Sequence, residues 1–379
     1  MRLLYISYSK IPSRFANSIQ VMRMCHAFAQ YGWSVTLFCL RGTEKTNVNS
    51  YYGLPNSSVR LVPIRMPRVK VISRFLYGVR VLWMIKQSRW HGIIYGRDFY
   101  SLALIVKTKL IQQPIYLEVH QPPSNGLEDY LQKLIFRSPY FKGLVTISSS
   151  LQKEYQRRYG KLLAGRVSVA HDAATPLENI SAYLPASKVP RIGYTGSLQP
   201  GKGVELIVEI AKLLPNIEFH VVGGNKEQVS YWRTQCPASV LFHGYQLPRK
   251  IASYIASFDV VLAPYLPHVK VGQKKVDIAR WMSPLKLFEY MSADKPIIAS
   301  NLPVLREVLH HEQNAILVNS TSPIDWKEAI QRLLKDDTLC QRLGQRAQQD
   351  FYEKYTWEKR AEQISKLFSV SSTQTAPVS

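Results

Sequence analysis

The chain of 379 residues is 46% hydrophobic and carries a formal net charge of +23. Its length exceeds one ordinary core and predicts two domains of roughly 150 to 200 residues, while the apolar content supports folded cores. No membrane span is expected, because no apolar run approaches about 18 residues without a charge, and the stretch Ile93 to Ile111 contains Arg97, Asp98, Lys107 and Lys109. Cys25, Cys39, Cys236 and Cys340 lack the paired spacing of a disulfide framework or a zinc site.

From the N-terminus, MRLLYISYSK is too short an apolar run for a secretory signal and reads as a first buried strand, Leu3 to Tyr8. With the unpaired cysteines, this fits a reducing cytoplasm. Ala16-Asn17-Ser18 then precede an amphipathic helix, whose first amides suit a phosphate or a plain capping Asn or Ser equally well. Further strands are expected at Val35 to Leu40, Val59 to Ile64, Gly92 to Gly96, Pro114 to Val119, Gly143 to Ser148 and Val167 to His171, with helical patterns between most of them. Between Glu44 and Asp98 there is no acidic residue, while Arg60, Arg65, Arg68, Lys70, Arg74, Arg80, Lys86, Arg89 and Arg97 stand among Phe75, Leu76, Tyr77, Leu82, Trp83, Met84 and Trp90. Such a basic, aromatic-bearing amphipathic segment suits anionic lipid headgroups, nucleic acid, or solubility alone. Residues 1–185 hold 25 Lys and Arg against 8 Asp and Glu, so +17 of the net charge lies there. Glu118 and His120 close the strand YLEVH, where a histidine is either structural or an acid/base group.

The join between domains is expected in Ala173 to Pro190, with domains at 1–180 and 186–355. Strands follow at Arg191 to Thr195, Ile217 to Val222, Val240 to His243, Val260 to Ala263, Pro296 to Ser300 and Ala315 to Val318. This alternation predicts an α/β chain of two Rossmann-like, doubly wound domains with ligands at the carboxyl ends of the strands. The second domain opens RIGYTGSLQPGKGVELIVEI, in which Gly196, Gly201 and Gly203 permit close backbone approach and Lys202 adds a cation near a helix start. It is neither a P-loop nor a GxGxxG turn. Gly244, Tyr245 and Gln246 end another strand, where backbone groups can read a nucleobase edge. In SPLKLFEYM, Ser283 reads as an N-cap and Pro284 as the first helical residue. Lys286 and Glu289 then share a face, and a lysine in a first turn opposes the helix dipole, a conflict that a bound anion relieves. A solvated pair on an ordinary surface helix is the plain alternative.

Taken together, GYTGSLQPGKGVELI (Gly193 to Ile207), VLFHGY (Val240 to Tyr245), DVVLAPY (Asp259 to Tyr265), SPLKLFEYMSADKPIIASNLPVLREVL (Ser283 to Leu309), NAILV (Asn314 to Val318) and YTWEKRAEQI (Tyr355 to Ile364) resemble the retaining GT-B glycosyltransferases of family 4, over essentially the whole chain. The resemblance implies two Rossmann-like domains facing a cleft, the first binding an acceptor and the second a nucleoside-diphosphate sugar. It also implies a crossover helix at 356–370 that returns to the first domain, before a disordered tail at 371–379. It implies catalytic roles for His120, Lys202 and Glu289. Lys202 looks like the phosphate-binding lysine, Glu289 like the ribose-binding glutamate, and His120 like the histidine that approaches the transferred sugar. Gly196, Ser197, Gly244, Tyr245 and Lys286 complete the donor site, with Val304 and Leu305 offering amides to the diphosphate at a helix start. Asn17 and Ser18 stand where the family has a glycine-rich loop. Three positions depart from the pattern: Trp281 replaces the first motif glutamate, whose role Asp277 is a candidate to fill; Ala16-Asn17-Ser18 replace paired glycines; and Ser197 replaces a basic residue, leaving Lys202, with Lys286 or Arg280, to neutralise the diphosphate.

The implied activity is transfer of a hexose-type sugar from a UDP- or GDP-sugar to a glycan or polyprenyl-linked acceptor, with retention and with no protein nucleophile, in surface polysaccharide or glycolipid synthesis. No cofactor or metal is required by the sequence, since no DxD-like pair ends a strand. A cytoplasmic location is expected, peripheral on the inner face of the membrane through Arg65 to Arg89. No nucleic-acid partner is expected. A noncatalytic GT-B module, which would account for Trp281, and a basic nucleic-acid-binding protein are the alternatives.

Overall fold

The computed structural model describes residues 1–42, 46–54, 56–66, 70–177, 180–271 and 276–370, without the side chains of 70–72, 271, 276 and 370. Glu44, Arg68 and the expected tail at 371–379 lie outside the described residues, as does the side chain of Lys70. The chain divides into two compact units, Met1–His171 with Trp357–Ser379, and Asp172–Thr356.

The first unit runs β1 (Arg2–Ile11), α1 (Ala16–Gln30), β2 (Ser34–Arg41), α2 (Val48–Tyr52), β3 (Arg60–Ile64), α3 (Lys70–Gln87), β4 (Ile93–Gly96), α4 (Phe99–Thr108), β5 (Ile115–Val119), α5 (Gly126–Phe136), β6 (Phe141–Thr146), α6 (Ser149–Leu163) and β7 (Val167–Val169). Its sheet has the order β3-β2-β1-β4-β5-β6-β7, with parallel neighbours throughout. Leu3, Leu4, Tyr5 and Ile6 are all buried because both faces of this central strand are covered, which is why the sequence shows a continuous apolar run instead of alternation.

The second unit runs β8 (Arg191–Thr195), α7 (Val204–Leu213), β9 (Glu218–Val222), α8 (Lys226–Arg233), β10 (Val240–Gly244), α9 (Pro248–Ala256), β11 (Val260–Ala263), a short antiparallel hairpin of β12 (Lys270–Val271) and β13 (Val276–Asp277), α10 (Leu285–Ser292), β14 (Ile297–Ser300), a single 3-10 turn (Leu305–Glu307), β15 (Ile316–Val318), α11 (Pro323–Leu333) and α12 (Asp337–Lys354). Six of these strands form a parallel sheet, β10-β9-β8-β11-β14-β15. The final helix, α13 (Trp357–Val370), belongs to the first unit and packs on α1. Phe368 sits among Phe28, Trp33, Tyr95 and Tyr116 at ring-centroid distances of 4.6 to 5.9 Å. Such aromatic contacts each add about 0.5–1.5 kcal/mol beyond area burial.

All seven and all six expected strands are present. The ends differ most at β1, which continues to Ile11, and at β6, which begins and ends two residues earlier than expected, while β7 stops at Val169. The β12–β13 hairpin was not expected. The start of α10 also differs from the sequence reading: Pro284 is its N-cap and Leu285 its first residue. The Ser283 hydroxyl instead accepts a hydrogen bond from the Asp172 amide at 2.8 Å, satisfying a buried donor that no helix or sheet supplies. Among the described residues no helix is long and apolar enough to cross a membrane.

Candidate functional site

In a doubly wound sheet the binding crevice opens where the strand order reverses, which in the second unit falls between the carboxyl ends of β8 and β11. Two lysines from different elements converge there. Lys286, in the first turn of α10, places its Nζ 3.6 Å from the ring centroid of Tyr194 and 5.0 Å from that of Tyr265. Lys202, in the loop before α7, lies 5.2 Å from the same Tyr265 ring. Lys286 is only 7% exposed, and its ammonium nitrogen has no hydrogen-bond partner among the described residues. Burial, and then the charge of Lys202, push the Lys286 pKa well below the usual lysine range; Glu289, half-buried on the same helix, opposes this. Burial lowers Lys202 to about 8.

The backbone is shaped around these cations. Gly196, directly after β8, has φ 146, and a Cβ there would come 2.9 Å from the Lys286 Nζ. Gly201 has φ 81 and passes so close to the chain at His268 that a Cβ would meet its carbonyl oxygen at 1.9 Å. The loop is held by Tyr194 Oη, which donates to the Ser197 carbonyl at 2.9 Å, and by Glu205, whose Oε1 accepts from the Gly201 amide at 2.8 Å. Tyr290 Oη accepts from the Thr195 amide at 2.7 Å and fixes α10 to the end of β8. A buried ammonium without an anion is costly, and two facing one ring more so. The arrangement therefore favours a ligand that brings negative charge to the end of β8.

The remaining sequence candidates in this unit are placed unevenly. Ser197 is exposed beside Gly196. Gly244 ends β10 with φ 64 and no atom of the described residues within 4 Å of its Cβ position, and Tyr245 beyond it is 40% exposed, while the Gly244 carbonyl already accepts from the Gly223 amide at 2.8 Å. Val304 and Leu305 were expected to offer amides at a helix start. They lead into a three-residue 3-10 turn, and the Leu305 amide already donates to the Leu302 carbonyl at 3.0 Å, so it is not available to a diphosphate. Asp277 does not project as a replacement for the missing glutamate. Its Oδ1 accepts from the amides of Val269 (2.9 Å) and Ala279 (3.0 Å), and its Oδ2 lies 2.7 Å from His268 Nδ1, so it closes the β12–β13 hairpin. Trp281 is half-buried beneath the Arg280 guanidinium, 4.9 Å away.

In the first unit, His120 follows β5 and its Nε2 is 2.6 Å from Glu118 Oε1. Glu118 is itself fully buried and is held by Gln20 Nε2 (2.8 Å), Tyr95 Oη and the Arg360 guanidinium (3.2 Å). Burial works against its charge, but Arg360, His120 and Arg97 hold its pKa well below the carboxylate range. With the carboxylate ionised, Nε2–H of His120 is the donor, which fixes the ring. Asn17 and Ser18 do not cap α1, whose N-cap is Phe15 without a side-chain bond. The Ser18 hydroxyl donates to the carbonyls of Ser13 and Phe15 and its amide also bonds Phe15, so Ser18 cannot serve a phosphate; Asn17 donates to Ser9 Oγ at 3.0 Å. Arg74, which the sequence reading counts only within the basic segment, has its guanidinium 5.2 Å from the Tyr8 ring and 5.0 Å from that of Tyr100, at the carboxyl edge of this sheet.

Arg360 and Gln20 are the residues that sequence reasoning missed. Gln20 left a signal, since it occupies the apolar stripe of α1 with Met24 and Phe28 at helical spacing, and a polar residue on such a stripe needs a partner. Arg360 left none. Among the described residues no group of three or more His, Cys, Asp and Glu is placed to hold a metal ion.

Residues 189–336 match the family Glycosyl transferases group 1. An uncharacterized glycosyltransferase of Methanocaldococcus jannaschii is 25% identical over 190 residues, covering 47% of this chain and 44% of that protein. The phosphatidyl-myo-inositol mannosyltransferase of Mycobacterium leprae is 22% identical over 280 residues, 71% of each chain. The chain thus spans less than half the length of several curated relatives it matches. Among solved structures, sucrose-phosphate synthase from Thermosynechococcus elongatus superposes with a TM-score of 0.75 at 16% identity over 99% of this chain and 100% of that one. Anabaena HepE in complex with UDP-glucose gives 0.74 at 14% identity over 98% and 100%. The fold is that of the GT-B glycosyltransferases, two Rossmann-like domains.

Proposed function

We propose that this protein is a glycosyltransferase that takes a hexose-type sugar from a nucleoside-diphosphate sugar, UDP- or GDP-linked, and transfers it with retention to a glycan or polyprenyl-linked acceptor. The observation that carries this reading is the pair Lys202 and Lys286 on one tyrosine ring at the reversal point of the second sheet, with the Lys286 ammonium buried and without a hydrogen-bond partner among the described residues. A diphosphate supplies the missing counter-charge. As the bond between the sugar C1 and the phosphate oxygen breaks, negative charge grows on the leaving diphosphate, and fixed cations lower that barrier. The acceptor oxygen forms the new bond to C1 on the same face, and its proton passes to the leaving phosphate, so no protein nucleophile is used. Glu289 is assigned to the ribose hydroxyls and His120 to the transferred sugar. No cofactor enters this scheme. An Anabaena relative solved with UDP-glucose supports a nucleotide-sugar donor, and UDP is the first nucleotide to test.

The test is thermal stability of the purified protein with UDP, GDP, ADP and their sugars, followed by turnover. UDP or GDP is expected to raise the melting temperature, and Lys286→Ala to abolish the rise while the unliganded fold persists. Indifference to every nucleotide diphosphate at millimolar concentration would overturn the reading. A second reading, a noncatalytic module, is favoured by one observation: Trp281 stands at the carboxylate position and Asp277 is committed to its hairpin. Nucleotide binding with neither transfer nor donor hydrolysis would select it.

A further inference from the structure

The face that α3 turns to solvent is apolar at its centre and basic beside it. Its inner side is ordinary: Ser73, Tyr77, Val81 and Ile85 recur every four residues and are buried, and Tyr77 Oη donates to the Ser7 carbonyl at 2.9 Å. On the opposite side Phe75, Leu76, Val79 and Trp83 are 61%, 36%, 41% and 60% exposed. At about 100° per residue these four fall within a single sector of about 100°. Lys86 lies in the same sector at the helix end, Arg80 borders it, and Arg89 follows; all three are exposed. The Arg80 guanidinium donates to the Arg65 carbonyl, which gathers positive charge along one side of the stripe. No acidic residue occurs between Glu44 and Asp98 to balance it.

We infer that the exposed face of α3 docks on an anionic lipid bilayer, with Phe75, Val79 and Trp83 entering the headgroup boundary and Arg80, Lys86 and Arg89 facing lipid phosphates. The combination of a contiguous apolar centre and one-signed flanks selects this occupant. A second copy meeting the same patch about a two-fold axis would set Arg80, Lys86 and Arg89 against like charges. A bilayer supplies an apolar interior and negative headgroups in the order the helix presents them. This surface lies on the first unit alone and does not depend on the transferase reading.

The experiment is flotation of the full chain with vesicles of phosphatidylcholine alone or mixed with phosphatidylglycerol, without nucleotide. Binding to the mixed vesicles is expected to exceed binding to neutral ones by about tenfold or more and to fall with salt. Phe75→Ser with Trp83→Ser, and separately Lys86→Glu with Arg89→Glu, should each abolish flotation. Both pairs are exposed, so circular dichroism and any nucleotide-induced thermal shift should be unchanged. Equal binding to both vesicle types, or flotation indifferent to both variants, would overturn the inference. So would self-association in solution that Phe75→Ser with Trp83→Ser removes, because the face would then be a contact between copies.

Discussion

Glu118 on β5 and Arg360 on α13 form an ion pair in which both side chains are almost wholly inaccessible to water, with Nη2 and Oε2 3.2 Å apart. The pair is also hydrogen-bonded: Arg360 donates to the carbonyls of His171 at 2.8 Å and Ala170 at 3.3 Å, while Gln20 and His120 lie against Glu118 Oε1. Removing one partner strands a buried charge, which costs about 3–5 kcal/mol. Arg360→Met is accordingly expected to destabilise the first unit by about that amount. Adding Glu118→Gln to it should recover part of the loss, and a double-mutant cycle by urea denaturation measures the coupling.

His120 is oriented by that same carboxylate. If it contacts the transferred sugar, His120→Ala should lower the transfer rate by about 100-fold or more while nucleotide affinity stays near the parent value. Steady-state rates alongside calorimetric titration with the free nucleotide separate the two quantities; equal loss in both would assign His120 to folding.

Proton linkage gives a sharper test of the lysine pair. Burial lowers Lys202 to about 8 and, with the charge of Lys202, displaces Lys286 well below its ordinary range. A diphosphate favours the charged form of both, so its binding should take up protons, and its affinity should decline as pH rises through about 8. Titrations in two buffers of different ionisation enthalpy report the uptake directly. Proton release on binding, or affinity flat across that range, would remove Lys202 from the site.

Gly196 offers a steric counterpart. Its φ of 146 and the 2.9 Å approach of Lys286 Nζ to the Cβ position mean that Gly196→Ala must displace the ammonium or strain the loop. Nucleotide affinity is expected to fall at least about tenfold, a loss of about 1.4 kcal/mol. The melting temperature of the unliganded second unit should move far less than the ligand-induced shift.

A separate pH effect belongs to the second sheet. His220 on β9 and His243 on β10 are stacked, with Nδ1 and Nε2 3.0 Å apart, and Glu218 lies 3.0 Å from His220 Nε2. Burial, then the proximity of His220 and Arg233, lower His243 to about 4. The unfolded chain would protonate this residue near its ordinary 6.5, and the folded one resists, so stability is complete above that pH and declines as pH falls toward 4. Melting temperature measured between these limits should drop for the parent, with a shallower slope for His243→Gln.

How much of this was readable in the sequence follows from the range of each interaction. The buried parallel strands were legible because central strands such as β1 are continuous apolar runs, and the reversal points then locate the crevices. The convergence of Lys202 and Lys286 was foreshadowed by their motifs. Their ring partners were not assigned, because Tyr194 on β8, Tyr265 in the loop after β11 and Lys286 on α10 are distant in sequence and meet only in the fold. The two-residue strands β12 and β13 carry too little periodicity to announce themselves. The Ser283 cap failed because a distant backbone amide, that of Asp172, claimed its hydroxyl.

The return of α13 to the first unit makes the second an uninterrupted insertion, Asp172–Thr356, within a discontinuous host. During synthesis the nascent first unit would hold Glu118 with only His120 and Arg97 to offset its charge until Arg360 has left the ribosome, long after the sheet strands have emerged. A gene fragment encoding Asp172–Thr356 has every contact of its own unit, whereas one ending at His171 lacks the helix that neutralises its interior. Dissection of this protein should therefore begin with the second unit, and the first should be made by joining its two segments through a short linker.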